Sequence, residues 1–437
     1  MPSGGSPRTR AEKKPFHWPF YYGWVIVVIA FLSMGTWLAM RTTFSVFLVA
    51  LLDEFHWSRA SAAGVQSVSF IVYTLSAPLV GALIDRFGPR KVILPGIIVL
   101  SAGLFICASL RSLMEFYFFY GVLVAFGVTF VSIIAYSAVL SHWFQRRRGL
   151  ASGIAVSGMG IGSFALVPLT QYVIIALGWR SAFKALAGVV FLLLFPLTAL
   201  FLRHKPSDLG LEVDGTGAAT RPTRRSMEVV DHEWARTDWT LRLASREGRF
   251  WSVLVFSFLV IVPIYLIVIH GVRLLTDCGF DRMRAAFMIA GLGVFTSPSQ
   301  IFWGWLSDRV GRERTFTMGT LFVVLGALCL LLTDWGHPAF AYLFVPFFGC
   351  GWAVTAPTFM SVAADLFQGR SFGLIYGVNE AVIGLGSAVG PWLGGFVFDR
   401  TGSYQNALLI AIASGLCSLP FAWLAAPRKV RQPGGRR

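Results

Sequence analysis

The stretch GALIDRFGPRK at residues 81–91 recurs as GWLSDRVGRER at residues 304–314, with its glycines and its Asp-Arg pair kept. The same offset along the chain pairs Leu51-Leu52 with Leu274-Leu275 and Phe144-Gln145 with Phe367-Gln368. One extra residue then brings Gly149 and Gly153 onto Gly373 and Gly377. A constant offset over such a distance predicts that the chain is built from two copies of one unit.

Apolar runs follow one another along both copies. The chain has 437 residues, of which 56% are hydrophobic and 13% are charged, and its mean hydropathy is +0.68. Soluble domains carry roughly 25% charged residues, and a membrane span needs about 20 apolar ones. On that length scale the sequence holds twelve spans, six in each copy. We therefore predict an all-α membrane protein whose twelve transmembrane helices form two parallel-repeat six-helix bundles.

The predicted organisation has five parts, which are an N-terminal tail at 1–21, a first bundle at 22–202, a central loop at 203–249, a second bundle at 250–426 and a C-terminal tail at 427–437. The first apolar run is too long for a signal-peptide core and is expected to be an uncleaved span. The central loop is rich in Pro, Gly, Ser and charge, and we expect a tether with a surface helix around 226–243.

The net charge of +16 is explained by membrane topology. Most Lys and Arg residues fall in the tails and in alternate loops, and the positive-inside rule then places both termini in the cytoplasm. Basic stripes with interleaved aromatics are absent from the sequence, which argues against a nucleic-acid partner. The excess of Arg over Lys favours a GC-rich bacterial genome and hence an inner membrane. The five scattered cysteines are expected to be packing residues.

At 81–91 and 304–314 the chain resembles the major facilitator superfamily, whose loop signature is G-x-x-x-D-R-x-G-R-[RK]. Pro89 and Glu313 depart from that signature. Three further stretches resemble the monocarboxylate porter and oxalate–formate antiporter branch. They are YYGWVIV at 21–27, WFQRRRGLASGIAVSGMGIGS at 143–163 and HKPSDLGLEVDG at 204–215. The resemblance implies the major facilitator fold and a secondary transporter that works by rocker-switch alternating access.

The loop signature supplies a candidate cytoplasmic gate. Asp85 is expected to pair with Arg86 and Arg90 or to face the N-terminus of a neighbouring helix, where a carboxylate gains about 0.3–2 kcal/mol. The resemblance implies that this loop holds the cytoplasmic side closed; alternatively, its charges only keep the loop inside. The candidate gate residues are Gly81, Asp85, Arg86, Gly88 and Arg90 in the first copy, and Gly304, Asp308, Arg309 and Gly311 in the second.

Glycines from 149 to 162 recur at small-x-x-x-small spacing, typical of close helix packing in lipid. A sliding contact between moving helices would use the same residues.

Two charged residues lie well inside predicted spans, where each costs on the order of 2.5–3.5 kcal/mol. Arg41 in the first span is predicted to bind a substrate carboxylate through its fork of donors; alternatively it snorkels to the outer interface. The resembling transporters often place their anion-binding Arg in the eighth span, which has none at its centre here.

Glu380 in the eleventh span is predicted to load and unload a proton, because burial disfavours its charged form; alternatively it is a structural partner of a neighbouring helix. His270 is a second candidate proton carrier, or else a packing residue. Asn379 and Tyr136 are added as candidate substrate-binding residues. The other candidate cavity-lining residues are Gln66, Tyr73, Tyr265, Gln300 and Thr355.

No nucleotide-binding, metal-ligand or nucleophile–base pattern is evident in the sequence, so we expect no cofactor, no metal and no enzymatic activity. The predicted function is proton-coupled transport of a small organic anion such as a monocarboxylate, by a monomer in the lipid bilayer. A proton-driven exporter of cationic or lipophilic compounds is one alternative. A membrane sensor or scaffold that transports nothing is another.

Overall fold

A computed structural model describes residues 21–57, 59–215, 227–333 and 337–433. In these ranges the long helices are α1 Gly23–Phe55, α2 Arg59–Phe87, α3 Pro89–Cys107, α4 Leu113–Trp143, α5 Arg148–Leu177, α6 Trp179–Phe201, α7 Gly248–Asp277, α8 Arg282–Val310, α9 Arg312–Leu331, α10 Ala339–Phe367, α11 Phe372–Thr401 and α12 Gln405–Ala425. The predicted all-α membrane fold is confirmed.

Within the described ranges, eleven of these helices are long and apolar enough to cross a membrane. The exception is α8, which has 29 residues and therefore a length of roughly 43 Å at about 1.5 Å per residue. Its sequence carries Asp308, Gln300 and several hydroxyl residues, which lower its hydropathy. These polar residues are tolerated because α8 packs against α5 and α10.

Three of the helices are interrupted. In α1 the regular helix stops at Thr43 and resumes at Phe44, and α10 is divided into Ala339–Trp352 and Thr355–Phe367. Helix α4 contains a π-helical segment, Tyr117–Val124, and restarts as Ile133–Trp143 where the Ser132 side chain caps the new turn. Segments of π-helix are rare and frequently occur at functional sites.

The buried apolar side chains form two clusters. One lies within α1–α6, joined by a few residues of α10 and α11, and the other lies within α7–α12. The two halves meet where α2 packs on α11 and α5 packs on α8. The repeat is visible in the backbone, because Gly88 after α2 and Gly311 after α8 both have left-handed φ angles, of 83° and 100°, which glycine adopts without strain.

Both described chain ends lie on one side of the molecule. The Tyr21 hydroxyl donates to the carbonyl oxygen of Trp143 at 2.8 Å, while Arg431 lies against Asp365 near the end of α10. Burial, followed by the Asp214 carboxylate, raises the pKa of Tyr21 above its ordinary value, so its hydroxyl stays protonated. We call this the terminus side. The basic residues of the tail at 1–20 lie outside the described residues.

The central loop does not contain the predicted surface helix at 226–243, and that prediction is wrong. From Met227 onward the structure has strand β1 Met227–Val229 and the short helices His232–Arg236 and Leu241–Ala244. The chain turns between them because Asp231 and Thr240 each cap a new helix. Strand β1 pairs antiparallel with β2, Arg431–Pro433, in the C-terminal tail. Short 3₁₀ turns cover Pro206–Leu209, Val213–Gly215 and Pro427–Lys429.

Candidate substrate site and gate

Two carboxylates at the terminus side bind helix N-termini across the interface of the halves. Asp85 at the end of α2 accepts hydrogen bonds from the backbone N–H groups of Gly373 and Leu374, at 2.7 and 2.8 Å. Asp308 at the end of α8 accepts from Gly149 and Leu150, both at 2.9 Å. A carboxylate at a helix N-terminus satisfies otherwise free N–H groups and interacts favourably with the helix dipole.

Glycine pairs bring the helices close enough for these bonds. A Cβ atom at Gly81 would overlap the carbonyl oxygen of Gly373, and one at Gly304 would overlap that of Gly149. One turn away, a Cβ atom at Gly153 would lie 2.5 Å from the backbone oxygen of Gln300. All of these contacts lie in the terminus-side half of their helices, so the two bundles are pressed together on that side.

The expected pairing of Asp85 with Arg86 and Arg90 is wrong among the described residues. Asp85 and Arg86 are adjacent on a helix and point to different faces, and the Arg86 guanidinium lies 5.2 Å from the centre of the Phe87 ring. Arg90, beyond the turn at Gly88, donates to the carbonyl oxygen of Ala199 in α6. In the second copy Arg309 stacks on Trp305 at 3.9 Å. Asp85 therefore binds the helix N-terminus alone.

A buried charge cluster reinforces the second of these contacts. Asp365 in α10 pairs with Arg148 of α5 at 2.6 Å and with Arg312 of α9 at 2.8 Å. Arg312 also pairs with Asp308 at 2.7 Å, and Arg431 of the tail reaches Asp365 at 3.6 Å. Within this set, only the pair of Arg148 with Asp365 joins the two halves by charge. We call these five residues the gate cluster.

The ion pairs of the gate cluster have no equivalent in the first copy, where Asp85 is the counterpart of Asp308. The offset of the repeat pairs Asp365 with His142 and Arg312 with Pro89. His142 instead bonds the carbonyl oxygen of Ala138 at 2.7 Å. Of the cluster, the sequence predicts only Asp308, because the other four members lie in separate elements that come together only in the folded chain. The run of three arginines ending at Arg148 was the signal that could have identified one partner.

Arg41 lies in the middle of the molecule under three aromatic rings. Its guanidinium is 5.1 Å from the Trp37 ring, 4.6 Å from Phe70 and 4.8 Å from Tyr73. Within the described ranges no carboxylate forms an ion pair with it. Cation–π contacts hold a guanidinium in place and leave its edge donors available. The adjoining cleft is also lined by Gln66, whose buried side-chain oxygen has no hydrogen-bond partner in the described part of the chain.

Tyr73 connects Arg41 to Glu380 across the two halves. Its ring packs on the guanidinium, and its hydroxyl donates to Oε2 of Glu380 at 3.3 Å. Glu380 is 5% exposed and Asn379 is 2% exposed. Both the oxygen and the nitrogen of the Asn379 amide lack a hydrogen-bond partner among the described residues, although buried polar atoms nearly always have one. Arg41, Tyr73 and Glu380 form what we call the central triad.

Two of the predicted site residues, Tyr136 and His270, lie apart from the central triad. The Tyr136 hydroxyl is 2.6 Å from that of Ser33, inside the first bundle. Both ring nitrogens of His270 are hydrogen-bonded. Nδ1 lies 3.1 Å from the Tyr404 hydroxyl, and Nε2 lies 2.9 Å from the carbonyl oxygen of Pro391. Pro391 is three turns of helix, or about 16 Å, beyond Glu380. The described residues contain no group of three or more His, Cys, Asp or Glu placed to hold a metal ion.

Comparisons with known proteins agree with this architecture. The family model described as the Major Facilitator Superfamily matches residues 23–379 and 286–437. Monocarboxylate transporter 13 of Bos taurus is 28% identical over 428 residues, covering 96% of this chain and 93% of the relative. An uncharacterised MFS-type transporter of Bacillus subtilis, YcxA, is 25% identical over 395 residues, covering 89% of this chain and 91% of the relative.

Solved structures share the fold at low sequence identity. The proton:xylose symporter XylE superimposes with a TM-score of 0.74 at 14% identity, covering 92% of this chain and 95% of the other. The transporter FucP in its outward conformation gives a TM-score of 0.72 at 12% identity, covering 93% and 99%. With the family model matched over nearly the whole chain, and with the repeated fold and paired helix contacts described above, this protein belongs to the major facilitator superfamily.

Proposed function

We propose that this protein is a proton-coupled secondary transporter of a small organic anion, most simply a monocarboxylate. The observation that carries the proposal is the central triad, in which an unpaired guanidinium is connected through one tyrosine to a buried carboxyl group. The similarity to monocarboxylate transporters supports the same class of substrate. The proposal places the terminus side in the cytoplasm of a bacterial cell and takes a single chain as the transporting unit.

Arg41 is the proposed anion-binding residue. An unpaired cation in a membrane interior is costly, and a substrate carboxylate would supply the missing partner through a bidentate contact. The surrounding rings of Trp37, Phe70 and Tyr73 offer apolar surface to the remainder of a small acid. The unpartnered amide of Asn379 supplies a donor and an acceptor for a second polar group of the substrate.

Glu380 is the proposed proton carrier. As a carboxylate it accepts the Tyr73 hydrogen bond and offsets the charge of Arg41 across the tyrosine ring. When a substrate anion binds at Arg41, the region gains a negative charge, which favours a proton on Glu380. Anion binding and proton binding therefore assist each other, as symport requires. His270 is proposed to be a packing residue, since both of its ring nitrogens have partners.

The paired contacts of Asp85 and Asp308 are proposed to be the cytoplasmic gate. They are made by residues from opposite halves, so rocking of the halves breaks them together. The halves are pressed together on the terminus side, and the proposal takes this arrangement as the outward-facing state of the cycle. Parallel-repeat transporters expose a midplane site alternately by such rocking.

Purified protein in liposomes tests this function. Uptake of labelled lactate or pyruvate should be driven by an acid-outside proton gradient and should stop when a protonophore dissipates it. Liposomes without protein are the control. If no carboxylate in a panel is taken up, the proposed transport of an anion is wrong. Efflux of a cationic dye would favour the exporter. A protein that moves neither class would support the non-transporting alternative.

A further inference from the structure

The charges of the gate cluster do not balance when the gate is closed. The cluster contains two carboxylates, Asp308 and Asp365, and three guanidinium groups, Arg148, Arg312 and Arg431. The other buried carboxylate at this surface, Glu313, has its own partner in Arg428 at 3.3 Å. One positive charge is therefore in excess, in a place where side-chain exposure is 9% or less.

The excess charge belongs to the interface between the halves. Arg148 is the only member of the gate cluster that comes from the first bundle. If Arg148 moves away with that bundle, two carboxylates and two guanidinium groups remain together, and the cluster becomes neutral. Buried charges are stable only when they are paired. When Arg148 moves away with the first bundle, the charges that remain in the second bundle are therefore better balanced.

Arg431 is placed to take over the contact that Arg148 leaves. Both residues face the same oxygen, Oδ1 of Asp365. Nη1 of Arg148 lies 2.6 Å from it, and Nε of Arg431 lies 3.6 Å from it. The buried Nε of Arg431 has no hydrogen-bond partner within the described ranges. Its distance to Asp365 is too long for a hydrogen bond, and Arg148 repels it. The Arg431 side chain therefore lies close to an acceptor oxygen to which Arg148 is already bonded.

The tail holds Arg431 in this position independently of the first bundle. Val229 of β1 is paired with Arg431 of β2, and the backbone N–H of Val230 donates to the carbonyl oxygen of Val430 at 2.8 Å. The Val430 side chain is fully buried in the core of the second bundle. When the halves rock apart, these contacts stay within the second bundle and its attached loop, so Arg431 stays beside Asp365.

We propose that Arg431 is a positioning residue of the transport cycle, a substitute counter-ion that binds Asp365 when Arg148 withdraws and so favours opening of the gate. The inference rests on the alternating access proposed above. It concerns the relative stability of the open and closed gate and leaves the substrate undefined.

The test measures gate opening directly. Spin labels at Lys91→Cys in the first bundle and at Arg246→Cys, in the central loop just before α7 of the second bundle, both exposed positions, report the separation of the halves by pulsed electron paramagnetic resonance in nanodiscs. The background replaces Cys107, Cys278, Cys329, Cys350 and Cys417. Arg431→Gln should shift the population toward the short, closed distance by about tenfold, the scale of one partly screened buried charge contact, and should slow substrate exchange.

Two further variants separate charge from structure. Arg431→Lys keeps the charge and should restore a population close to that of the wild type. Lys429→Gln removes the same charge from an exposed position in the same tail and should change nothing. A shift of Arg431→Gln toward the long distance, or a result equal to that of Lys429→Gln, would overturn the role of Arg431.

Failure of the underlying function gives a different result. Alternating access requires two distances in the wild type, measured with and without a saturating carboxylate. A single distance under both conditions would contradict rocking itself, and the inference with it. Two distances whose weights do not respond to Arg431→Gln would contradict only the substitute counter-ion.

Discussion

Asp85 and Asp308 occupy equivalent positions in the two copies and make the same contact in opposite directions, each accepting two backbone N–H bonds from a helix of the other half. The contact is reciprocal because the halves are repeats related by a pseudo-twofold axis. Asp85 binds the start of α11 and Asp308 binds the start of α5, and these two helices are themselves equivalent in the repeat. The proposed gate therefore consists of two similar pairs of hydrogen bonds, which rocking of the halves would break together.

Replacing either carboxylate should weaken closure. Asp85→Asn and Asp308→Asn remove the charge from a helix N-terminus and should cost the closed state about 0.3–2 kcal/mol. Asp308→Asn should have the larger effect, because it also removes a negative charge from the gate cluster, which already has one positive charge in excess while Arg148 is present. Spin-label distances across the terminus side would measure the shift, with Asp53→Asn, an exposed carboxylate before the second helix, as control. Equal populations in all three variants would contradict the gate.

Adding one methyl group at the glycine contacts should block closure. Gly81→Ala and Gly304→Ala place a Cβ atom on a backbone carbonyl oxygen of the other half, and backbone cannot move aside as a side chain can. We expect transport to be lost while the protein is still inserted in the membrane. Gly188→Ala in α6, where a Cβ meets nothing within 4 Å, should transport normally. Normal transport by Gly81→Ala would show that the helices need not approach this closely.

Arg41→Ala should abolish uptake without reducing expression, because it removes the proposed partner of the substrate carboxylate. Arg41→Lys should recover little of it, since an ammonium lacks the planar fork. Arg400→Ala is the matched control, because Arg400 also stacks on an aromatic ring, that of Phe396 at 4.4 Å. Saturation curves in liposomes would compare the three. Uptake by Arg41→Ala at the rate of the wild type would exclude Arg41 from the mechanism.

Glu380→Gln should separate exchange from accumulation. The amide cannot release a proton, so counterflow of substrate should continue while uptake against a gradient is lost. Tyr73→Phe removes the hydroxyl that bonds Glu380 and should weaken the dependence of uptake on the proton gradient. Accumulation that survives in Glu380→Gln would assign the proton to another residue.

His270→Gln tests whether His270, instead of Glu380, carries the proton. Because both ring nitrogens of His270 have partners within the second bundle and its loops, we expect this variant to keep proton-driven accumulation and to lose only thermal stability, by about 1 kcal/mol. Melting temperature and uptake would be measured on the same preparation. Loss of accumulation with unchanged melting would contradict the packing role.

The sequence was sufficient to predict the fold because its signals are local. The apolar runs and the repeated Gly and Asp-Arg positions of 81–91 and 304–314 depend on no distant contact. The predicted pairing of Asp85 with its neighbouring arginines is wrong. Arg86 points to a different face of the helix, and the turn at Gly88 directs Arg90 toward α6. The gate cluster forms only where five elements meet, and no spacing in the chain predicts that meeting. The central loop forms a strand because the C-terminal tail supplies its partner, and the whole second bundle lies between the two strands in the sequence.

The charges of the gate cluster are confined to one of the two seams between the halves. The seam of α5 with α8 and α10 includes a buried ion pair at the terminus side. There the seam of α2 with α11 is joined by the two N–H bonds of Asp85, and Pro89 and His142 stand where the second copy has Arg312 and Asp365. Two seams of unequal strength do not part at the same moment. Water from the terminus side should enter along α2 and α11 first, so the path into the centre begins on the side nearer Tyr73 and Glu380.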